Sequence, residues 1–426
     1  MRGLGAKLRY LFAFGIARGS LFAAPVLLGN LVSISDYGHV ETAQSLGSIL
    51  SALAAFGLSG TIPLILIQKD SGARWDTLLL LLAAGSSIFI ATGAIGGLIA
   101  RDAGSLWLLV PFTTAALMLQ GLWSTVLKSR GNGTAAVFVE ASFWLAALAG
   151  GLLYAGFGPS MAWLAGLILC QCVILLAITI RAWLAVRAPF GLDDLKANLR
   201  LAAPLLFTAI LSICVSTAGR AILGTVSPGE AVGLYAVLYR ATALPLVAHQ
   251  ILIIAQFRQA FSWDEAKAGQ LLALIVVAVA ASALALWLML PLLGWLLGQR
   301  FFETFGQHGA ATGIILAQTV LWSAIAMNDL LSSRLKLAGT VAIRTALFLA
   351  LTGPGLLAWL DRLPVGVDPA AMLNRFVVGY AALMLGFYLV QCGAMYHKGA
   401  RFPALWGVSI ASFAGLIALS LVSARS

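Results

Sequence analysis

Long apolar runs alternate with short polar stretches along almost the whole chain. Each run is longer than the roughly 20 residues that a helix needs to cross the hydrocarbon core of a bilayer. The pattern predicts an all-α, polytopic membrane protein. Thirteen spans are predicted, at about residues 10–33, 43–67, 76–99, 104–126, 134–156, 161–181, 200–225, 232–257, 270–297, 310–332, 339–360, 374–396 and 402–423.

Two neighbouring runs, 200–225 and 232–257, carry polar residues at helical spacing. In the first, three hydroxyl side chains and Arg220 recur every four residues, so they share one side of a helix. In the second, Arg240 follows Tyr239, roughly 12 Å in from the start of the run at 1.5 Å per residue. An arginine at that depth is expected to face water or an anionic ligand. The alternative for both arginines is a side chain that extends to the headgroups.

Composition supports the membrane interpretation and excludes a soluble domain. The 426 residues are 61% hydrophobic and 10% charged, and the mean hydropathy is +0.99. The net charge of +11 does not indicate nucleic-acid binding, because most basic residues lie between the apolar runs. The four cysteines have no metal-ligand residues near them in the sequence. We therefore expect no disulfide, no metal site and no cofactor.

The basic residues orient the predicted spans. Seventeen of the 26 lie at one set of alternate span ends, four lie at the other ends and five lie inside spans. Cytoplasmic loops of membrane proteins carry an excess of Lys and Arg. The N-terminus is therefore predicted to be cytoplasmic and the C-terminus to lie outside.

Two short matches, each six spans apart, indicate an internal repeat. Gly29 and Gly38 bracket one turn at the spacing of Gly224 and Gly233. The loop KSRGNGTAA, which starts at residue 128, matches RLKLAGTVA, which starts at residue 334. An even number of intervening spans makes the repeats parallel. We expect two pseudo-symmetric six-helix bundles (1–185 and 200–397) around a central cavity, joined by a cytoplasmic linker (186–199), with an additional helix in 398–426.

Local motifs resemble those of the polysaccharide exporters. The turn SISDYG at residues 33–38, the turn PGEAVGLY at 228–235 and the stretch LAAPLL at 201–206 are similar to theirs. These exporters are lipid-linked oligosaccharide flippases, the O-antigen and exopolysaccharide translocases of the multidrug/oligosaccharidyl-lipid/polysaccharide exporter superfamily. One position departs from their pattern. Many members carry an acid just before the arginine near the end of span seven, whereas Ala218 and Gly219 precede Arg220 here.

The resemblance implies a function and a location. It implies a transporter in the bacterial inner membrane, not an enzyme, that flips an undecaprenyl-pyrophosphate-linked oligosaccharide to the periplasmic leaflet by alternating access. The implied partners are that anionic lipid and the bilayer. A polysaccharide polymerase or a chain-length protein is a further candidate partner, and a monomer is expected.

Charge inside the predicted spans favours an anionic substrate. Five arginines lie within spans against two acids, and guanidinium binds phosphate with two parallel hydrogen bonds. Arg18, in span one, and Arg240 approach the midplane from opposite faces, where alternating access places a binding site. The predicted substrate-binding residues are Arg18, Arg240, Arg220, Gln44, Ser48 and Tyr239. For the serines, close helix packing is the alternative explanation.

Three other ionisable residues are candidates for ion coupling. Glu140, in span five, is expected to pair with an arginine or to carry a coupling ion. Asp329 lies near the inner end of span ten, where an interfacial position is the alternative. His249 lies deep in span eight, where hydrogen-bonded packing is the alternative. The sequence does not identify the coupling ion.

Two other functions stay open on the sequence alone. A multidrug exporter of the same superfamily would need acids and aromatic residues for a cationic drug, which the excess of arginine disfavours. A membrane polymerase or ligase of the polysaccharide pathway would place catalytic residues on a large outer loop. The longest outer loops predicted here, 298–309 and 361–372, are short.

Overall fold

A computed structural model describes residues 16, 19–63, 65–66, 74–100, 106–186, 191–227, 229–246, 249, 264–362 and 368–423. Within those ranges the regular elements are helices and no strand occurs, which confirms the predicted all-α class. The helices are α1 (Gly19–Leu31), α2 (Ile34–Ala54), α3 (Leu58–Pro63), α4 (Trp75–Ala100), α5 (Leu106–Ser129), α6 (Gly133–Phe157), α7 (Met161–Val186), α8 (Leu192–Val226), α9 (Glu230–Thr242), α10 (Glu265–Leu297), α11 (Gln299–Gln307), α12 (Gly309–Arg334), α13 (Ala338–Asp361), α14 (Pro369–Tyr396) and α15 (Pro403–Ser423).

Most predicted spans agree closely with these helices. The span predicted at 134–156 is α6, and the span predicted at 339–360 is α13. Among the described residues, nine helices are long and apolar enough to cross a membrane: α4, α5, α6, α7, α10, α12, α13, α14 and α15. The boundaries of these helices follow from the length of each apolar run. The sequence pattern therefore predicts the helices without tertiary information.

The span predicted at 232–257 is shorter as a helix, because α9 ends at Thr242. Three further predicted boundaries are wrong. The span predicted at 43–67 begins earlier, at Ile34, and is broken between α2 and α3. The span predicted at 200–225 begins at Leu192, so part of the predicted linker is helical. The outer loop predicted at 298–309 contains the nine-residue helix α11. In each case polar residues that belong to a helix made its end resemble a loop.

The start of α2 shows how such an end is stabilised. Ser33 is the N-cap, and its Oγ accepts a hydrogen bond from the backbone N–H of Asp36 at 3.0 Å. Asp36 places a carboxylate in the first turn, where the helix dipole favours negative charge. The Tyr154 hydroxyl, from α6, donates to the same carboxylate at 2.7 Å. The polar residues that hid the helix in the sequence therefore form its cap.

The chain divides into two compact units, Met1–Ala221 and Ile222–Ser426. The division falls within α8, five residues before its C-terminal end at Val226, so most of this helix belongs to the first unit. The limits predicted for the two bundles and the cavity between them stay predictions.

An apolar core holds the first unit together around the break between α2 and α3. Helices α4 and α5 pack against that break, and α8 contributes Ala202 to the same core. Close packing of such side chains is the main stabilising contribution once the backbone is satisfied within helices. The buried members of the cluster are Ala55, Leu58, Ile62, Leu78, Leu79, Leu82, Met118, Leu122, Val126 and Ala202.

The second unit is built around α12. In its most apolar stretch 83% of the residues are buried, against 17% in α13. Helix α12 packs against α9, α10, α14 and α15. By contrast, α13 exposes Ile343, Leu347 and Leu351 at spacings of four residues, which forms an apolar stripe along one side. Such a stripe is suited to contact with lipid tails.

The two matched loops form the same kind of turn. After α5 and after α12, one residue adopts a left-handed conformation, Gly131 at φ 78° and Lys336 at φ 58°. The next backbone N–H then donates to the carbonyl five residues back, at 2.9 Å in the first turn and 2.7 Å in the second. This is the Schellman geometry that ends many helices. In the structure, Gly131 is therefore equivalent to Lys336. The sequence match aligned Arg130 with Lys336, so the two alignments differ by one residue.

Candidate substrate and coupling sites

Glu41 and Arg220 form a buried ion pair in the first unit. Arg220 Nη1 donates to Glu41 Oε2 at 2.5 Å, and the two side chains are 6% and 0% exposed. Glu41 lies about two turns into α2, and Arg220 lies near the C-terminal end of α8. Neither charge is stable in such a position without the other. The pair therefore ties the end of α8 to α2.

Sequence reasoning missed Glu41, and the residues just before Arg220, Ala218 and Gly219, include no acid that could pair with it. The predicted span began at residue 43, so Glu41 was placed outside the membrane and was not counted among the embedded acids. The acid expected next to Arg220 in the sequence is replaced here by one that lies 179 residues away. The sequence did contain a signal for the earlier start of this helix. Ser33 is followed three residues later by the acid Asp36, and this spacing is typical of a helix start.

Two predicted substrate residues lie on the same side of α2 as Glu41. Gln44 and Ser48 follow it by three and seven residues, which is one helical face. Gln44 Nε2 donates to Ser48 Oγ at 3.1 Å, and Ser48 Oγ donates to the carbonyl of Gln44 at 2.7 Å. The Oε1 atom of Gln44 is buried and has no hydrogen-bond partner. We use the name α2 polar face for these three residues of α2 together with Arg220 of α8, which contacts Glu41. Its members are Glu41, Gln44, Ser48 and Arg220.

Helix α8 is also fixed to the first unit at its N-terminal end. Arg74 Nη1 donates to Asp194 Oδ2 at 3.0 Å, and Asn198 Nδ2 donates to the carbonyl of Arg74 at 3.3 Å. Arg74 lies just before α4, and its hydrogen bond to the Asp76 carboxylate is the main factor that raises its pKa. The ion pair at Arg220 is therefore a second attachment, more than five turns farther along α8.

A backbone contact fixes α8 between those two attachments. Gly57 lies in the break between α2 and α3 at φ 72°. A Cβ atom at Gly57 would lie 2.6 Å from both the carbonyl oxygen of Ala202 and the backbone nitrogen of Leu206. Only glycine allows the α8 backbone to approach so closely.

Arg240 and Tyr239 lie in the second unit, near the end of α9. Arg240 is half-buried in the last helical turn, where the helix dipole favours a positive charge. Tyr239 stacks on Tyr235 with ring centroids 6.0 Å apart, and Tyr235 meets Phe376 edge-on at 5.2 Å. Arg240 is the residue that follows Tyr239 on α9. Arg18, the other predicted arginine, lies outside the described residues.

Glu140 contacts a basic residue of its own hairpin. Its Oε1 atom accepts hydrogen bonds from Lys128 Nζ and, at 2.8 Å, from Ser124 Oγ. Gln120 Nε2 donates to the backbone carbonyl of Glu140 at 2.5 Å. One basic partner of Glu140 is Lys128 of α5, and the arginine that the sequence suggested stays a prediction. The carboxylate charge is therefore compensated within the α5–α6 hairpin.

Asp329 belongs to a polar network between α12, α14 and α15. Gln391 Nε2 donates to Asp329 Oδ1 at 2.8 Å. The neighbouring Asn328 donates to Cys392 Sγ at 3.4 Å and accepts from Trp406 Nε1 at 3.2 Å. Asn328 is completely buried, so this network joins three helices inside the second unit. Asp329 itself is exposed, five residues before the end of α12, so both explanations for this residue stay predictions.

His249 packs against an aromatic ring. It is 4% exposed, and its ring meets that of Trp322 edge-on at 5.6 Å. Its Nδ1 atom is buried without a hydrogen-bond partner. His249 therefore packs against a neighbouring ring, as the alternative explanation expected. Its Nδ1 atom makes no hydrogen bond, which that explanation did not expect.

No metal site is indicated in the part of the chain that the structure describes. Within it, no group of three or more His, Cys, Asp or Glu side chains could hold a metal ion. The site chemistry is that of ion pairs, hydroxyl groups and amides.

Comparison with solved structures identifies the fold. The chain matches a structure described as the inward-facing conformation of a multidrug resistance MATE family transporter of the MOP superfamily. The TM-score is 0.58 at 14% identity, over 91% of this chain and 95% of that chain. The fold is the MATE transporter fold. No family model matches the chain, and no curated protein matches it either.

Other MATE and MOP structures give weaker matches over similar lengths. A MATE protein in the straight conformation has a TM-score of 0.49 at 14% identity, over 94% of this chain and 96% of that chain. A MOP superfamily transporter from Pyrococcus furiosus has a TM-score of 0.43 at 15% identity, over 95% and 93%. Because one fold serves many activities, the substrate has to be argued from the residues of this chain.

Proposed function

We propose that this protein is a membrane transporter that moves an anionic, lipid-linked oligosaccharide from the cytoplasmic to the periplasmic leaflet. The substrate is an undecaprenyl-pyrophosphate-linked glycan for surface polysaccharide. The observation that carries the proposal is the pairing of the acids inside the helices. Two of the three acids are paired with bases, since Glu41 contacts Arg220 and Glu140 contacts Lys128, whereas Asp329 accepts from the neutral amide of Gln391.

Paired acids disfavour a cation as the substrate. A pocket for a cationic drug needs carboxylates or aromatic faces that are available to the drug. A carboxylate that already compensates a buried base cannot meet a second cation without leaving the first charge uncompensated. An anionic diphosphate meets the arginines of the spans instead, and its own oxygens can take the place of a carboxylate on a guanidinium.

The α2 polar face provides groups for both parts of such a substrate. Arg220 supplies a guanidinium, which suits a phosphate. Gln44 and Ser48 supply an amide and a hydroxyl, which suit sugar hydroxyl groups. In the second unit, Arg240, which follows the stacked Tyr239 on α9, supplies a second charge.

Multidrug export is the second candidate function. It is favoured by the fold match to a multidrug resistance transporter. Under this alternative the chain would export small cations, and loss of the protein would sensitise cells to them.

Deletion of the gene in its native host separates the two functions. Flipping predicts that complete lipid-linked units accumulate on the cytoplasmic leaflet and surface polysaccharide is lost, with unchanged susceptibility to cationic dyes. Multidrug export predicts the reverse. Single units that accumulate at the outer leaflet would identify a polymerase, and the flippase proposal would be rejected.

Complementation with variants then tests the arginines. Arg18→Ala and Arg240→Ala should each abolish surface polysaccharide with normal protein level in the membrane. Arg18→Lys and Arg240→Lys keep the charge but lose the planar guanidinium, so they should restore export only in part. Full export by a stably inserted Arg18→Ala/Arg240→Ala variant would show that these arginines do not bind the substrate.

A further inference from the structure

We propose that Glu41 is an internal substitute for the phosphate of the substrate. Its carboxylate occupies the guanidinium of Arg220 until an anionic phosphate group replaces it. The identity of the incoming anion rests on the proposed function. The exchange itself rests on the contact between these two side chains.

The first observation is the chemistry of the contact. Carboxylate and phosphate present similar oxygen acceptors to guanidinium, and both bind its planar array of N–H donors. Arg220 Nη1 and Glu41 Oε2 are 2.5 Å apart, which is a close charge-assisted hydrogen bond. A ligand that provides two phosphate groups offers more acceptor oxygens than one carboxylate does. It is therefore suited to displace Glu41.

The second observation is that the surroundings of the pair are polar. Gln44 lies one turn from Glu41 on the same face of α2, and its Oε1 atom is buried without a partner. Ser48 lies one turn further. A buried polar atom without a partner is costly, and its cost is recovered when a ligand donates to it. A sugar hydroxyl next to the phosphate would supply that donor.

The third observation is the position of the pair on α8. The N-terminal part of α8 is held by Asp194 and Asn198 and by the close approach at Gly57. The Glu41–Arg220 pair holds the C-terminal part, two residues before the second unit begins at Ile222. Exchange of Glu41 for a phosphate therefore releases the end of α8 from α2 and leaves its beginning attached.

Burial makes the exchange dependent on the substrate. Because neither charge is stable alone in this position, Arg220 leaves Glu41 only when another anion arrives. Water that enters with the substrate hydrates the released carboxylate. Without an anion the pair stays closed, so the protein does not cycle empty.

The test measures the binding of farnesyl diphosphate to the purified full chain in detergent micelles by isothermal titration calorimetry. Farnesol supplies the lipid without the charge, and inorganic pyrophosphate supplies the charge without the lipid. Glu41→Gln removes the carboxylate that competes with the ligand for Arg220. The affinity of this variant for farnesyl diphosphate should therefore be about tenfold higher than that of wild type, or more, because the binding-competent state becomes dominant. Glu41→Asp shortens the side chain and weakens the pair, so a smaller rise is expected in case Glu41→Gln does not fold.

Two further variants complete the design. Glu41→Gln/Arg220→Gln removes both charges and should fold but lose at least tenfold in affinity relative to wild type. Asp194→Asn removes the ion pair between α8 and Arg74 and should bind as wild type does. Equal affinity of folded Glu41→Gln and wild type would overturn the exchange and leave the proposed function standing. If neither wild type nor any Glu41 variant binds a diphosphate, both proposals are overturned.

Discussion

The close approach at Gly57 leads to a substitution whose effect can be worked out from the structure. Gly57→Ala places a Cβ atom 2.6 Å from the backbone of α8 at Ala202 and Leu206. It also places an L-residue side chain at φ 72°. The variant is therefore expected to lose stability for two independent reasons, one local and one tertiary.

The two contributions have separate magnitudes. A side chain in the left-handed region costs about 1–2 kcal/mol. The contact at 2.6 Å requires α8 to move by roughly 0.8 Å to reach ordinary van der Waals distance, and overpacking of this kind costs about 1–3 kcal/mol. Gly57→Ala should therefore destabilise the protein by about 2–5 kcal/mol.

Gly131→Ala is the matched control. Gly131 has a similar left-handed conformation, at φ 78°, but nothing lies within 4 Å of the position of its Cβ atom. It should show only the local cost of about 1–2 kcal/mol. The difference between the two variants measures the contact with α8.

The assay is unfolding of the purified protein in mixed micelles of dodecyl maltoside and increasing SDS, followed by tryptophan fluorescence. Limited proteolysis between the end of α7 and the start of α8 reports on the release of α8. If the two variants lose the same stability to within about 0.5 kcal/mol, the contact between Gly57 and α8 makes no contribution and the reasoning is refuted.

Three other predictions concern the turn after α12, the buried ion pair and the topology. Lys336→Gly removes the strain of a left-handed lysine and should raise stability in the same unfolding assay by about 0.5–1 kcal/mol, whereas a loss would show that the lysine side chain makes a stronger contact. A double-mutant cycle on Glu41→Gln and Arg220→Gln should give a coupling energy of about 3 kcal/mol, and a value below about 1 kcal/mol, as at exposed pairs, would contradict the burial of the pair. A cysteine at Ser227 should react with an impermeant thiol reagent from the periplasm while one at Ser129 should not, and the opposite result would reverse the predicted orientation.

The helical class and most helix boundaries could be predicted from the sequence because they depend on local patterns. A bilayer requires that each spanning segment satisfy its own backbone hydrogen bonds, so a long apolar run is enough to locate a helix. The prediction of 134–156 for α6 is an example, since the helix is Gly133–Phe157. Asn132 caps its start and Gly158 follows its end, and both are local signals.

Prediction was less accurate where polar residues belong to a helix. The residues from Ile34 to Thr42 contain a histidine and two acids, so their hydropathy is that of a loop. In the structure they form the first turns of α2, because Tyr154 supports Asp36 and Arg220 compensates Glu41. These partners come from α6 and α8, far along the chain, and hydropathy contains no information about them.

The candidate site shows the same division between local and distant information. The sequence alone indicated Gln44, Ser48 and Arg220 as polar residues inside predicted helices, since each lies within an apolar run. The pairing of Arg220 with Glu41, across 179 residues, was decided by the tertiary structure. Hydrophobic periodicity depends on neighbours within a few turns of one helix, whereas a buried charge is compensated by whichever residue the packing of helices brings to it.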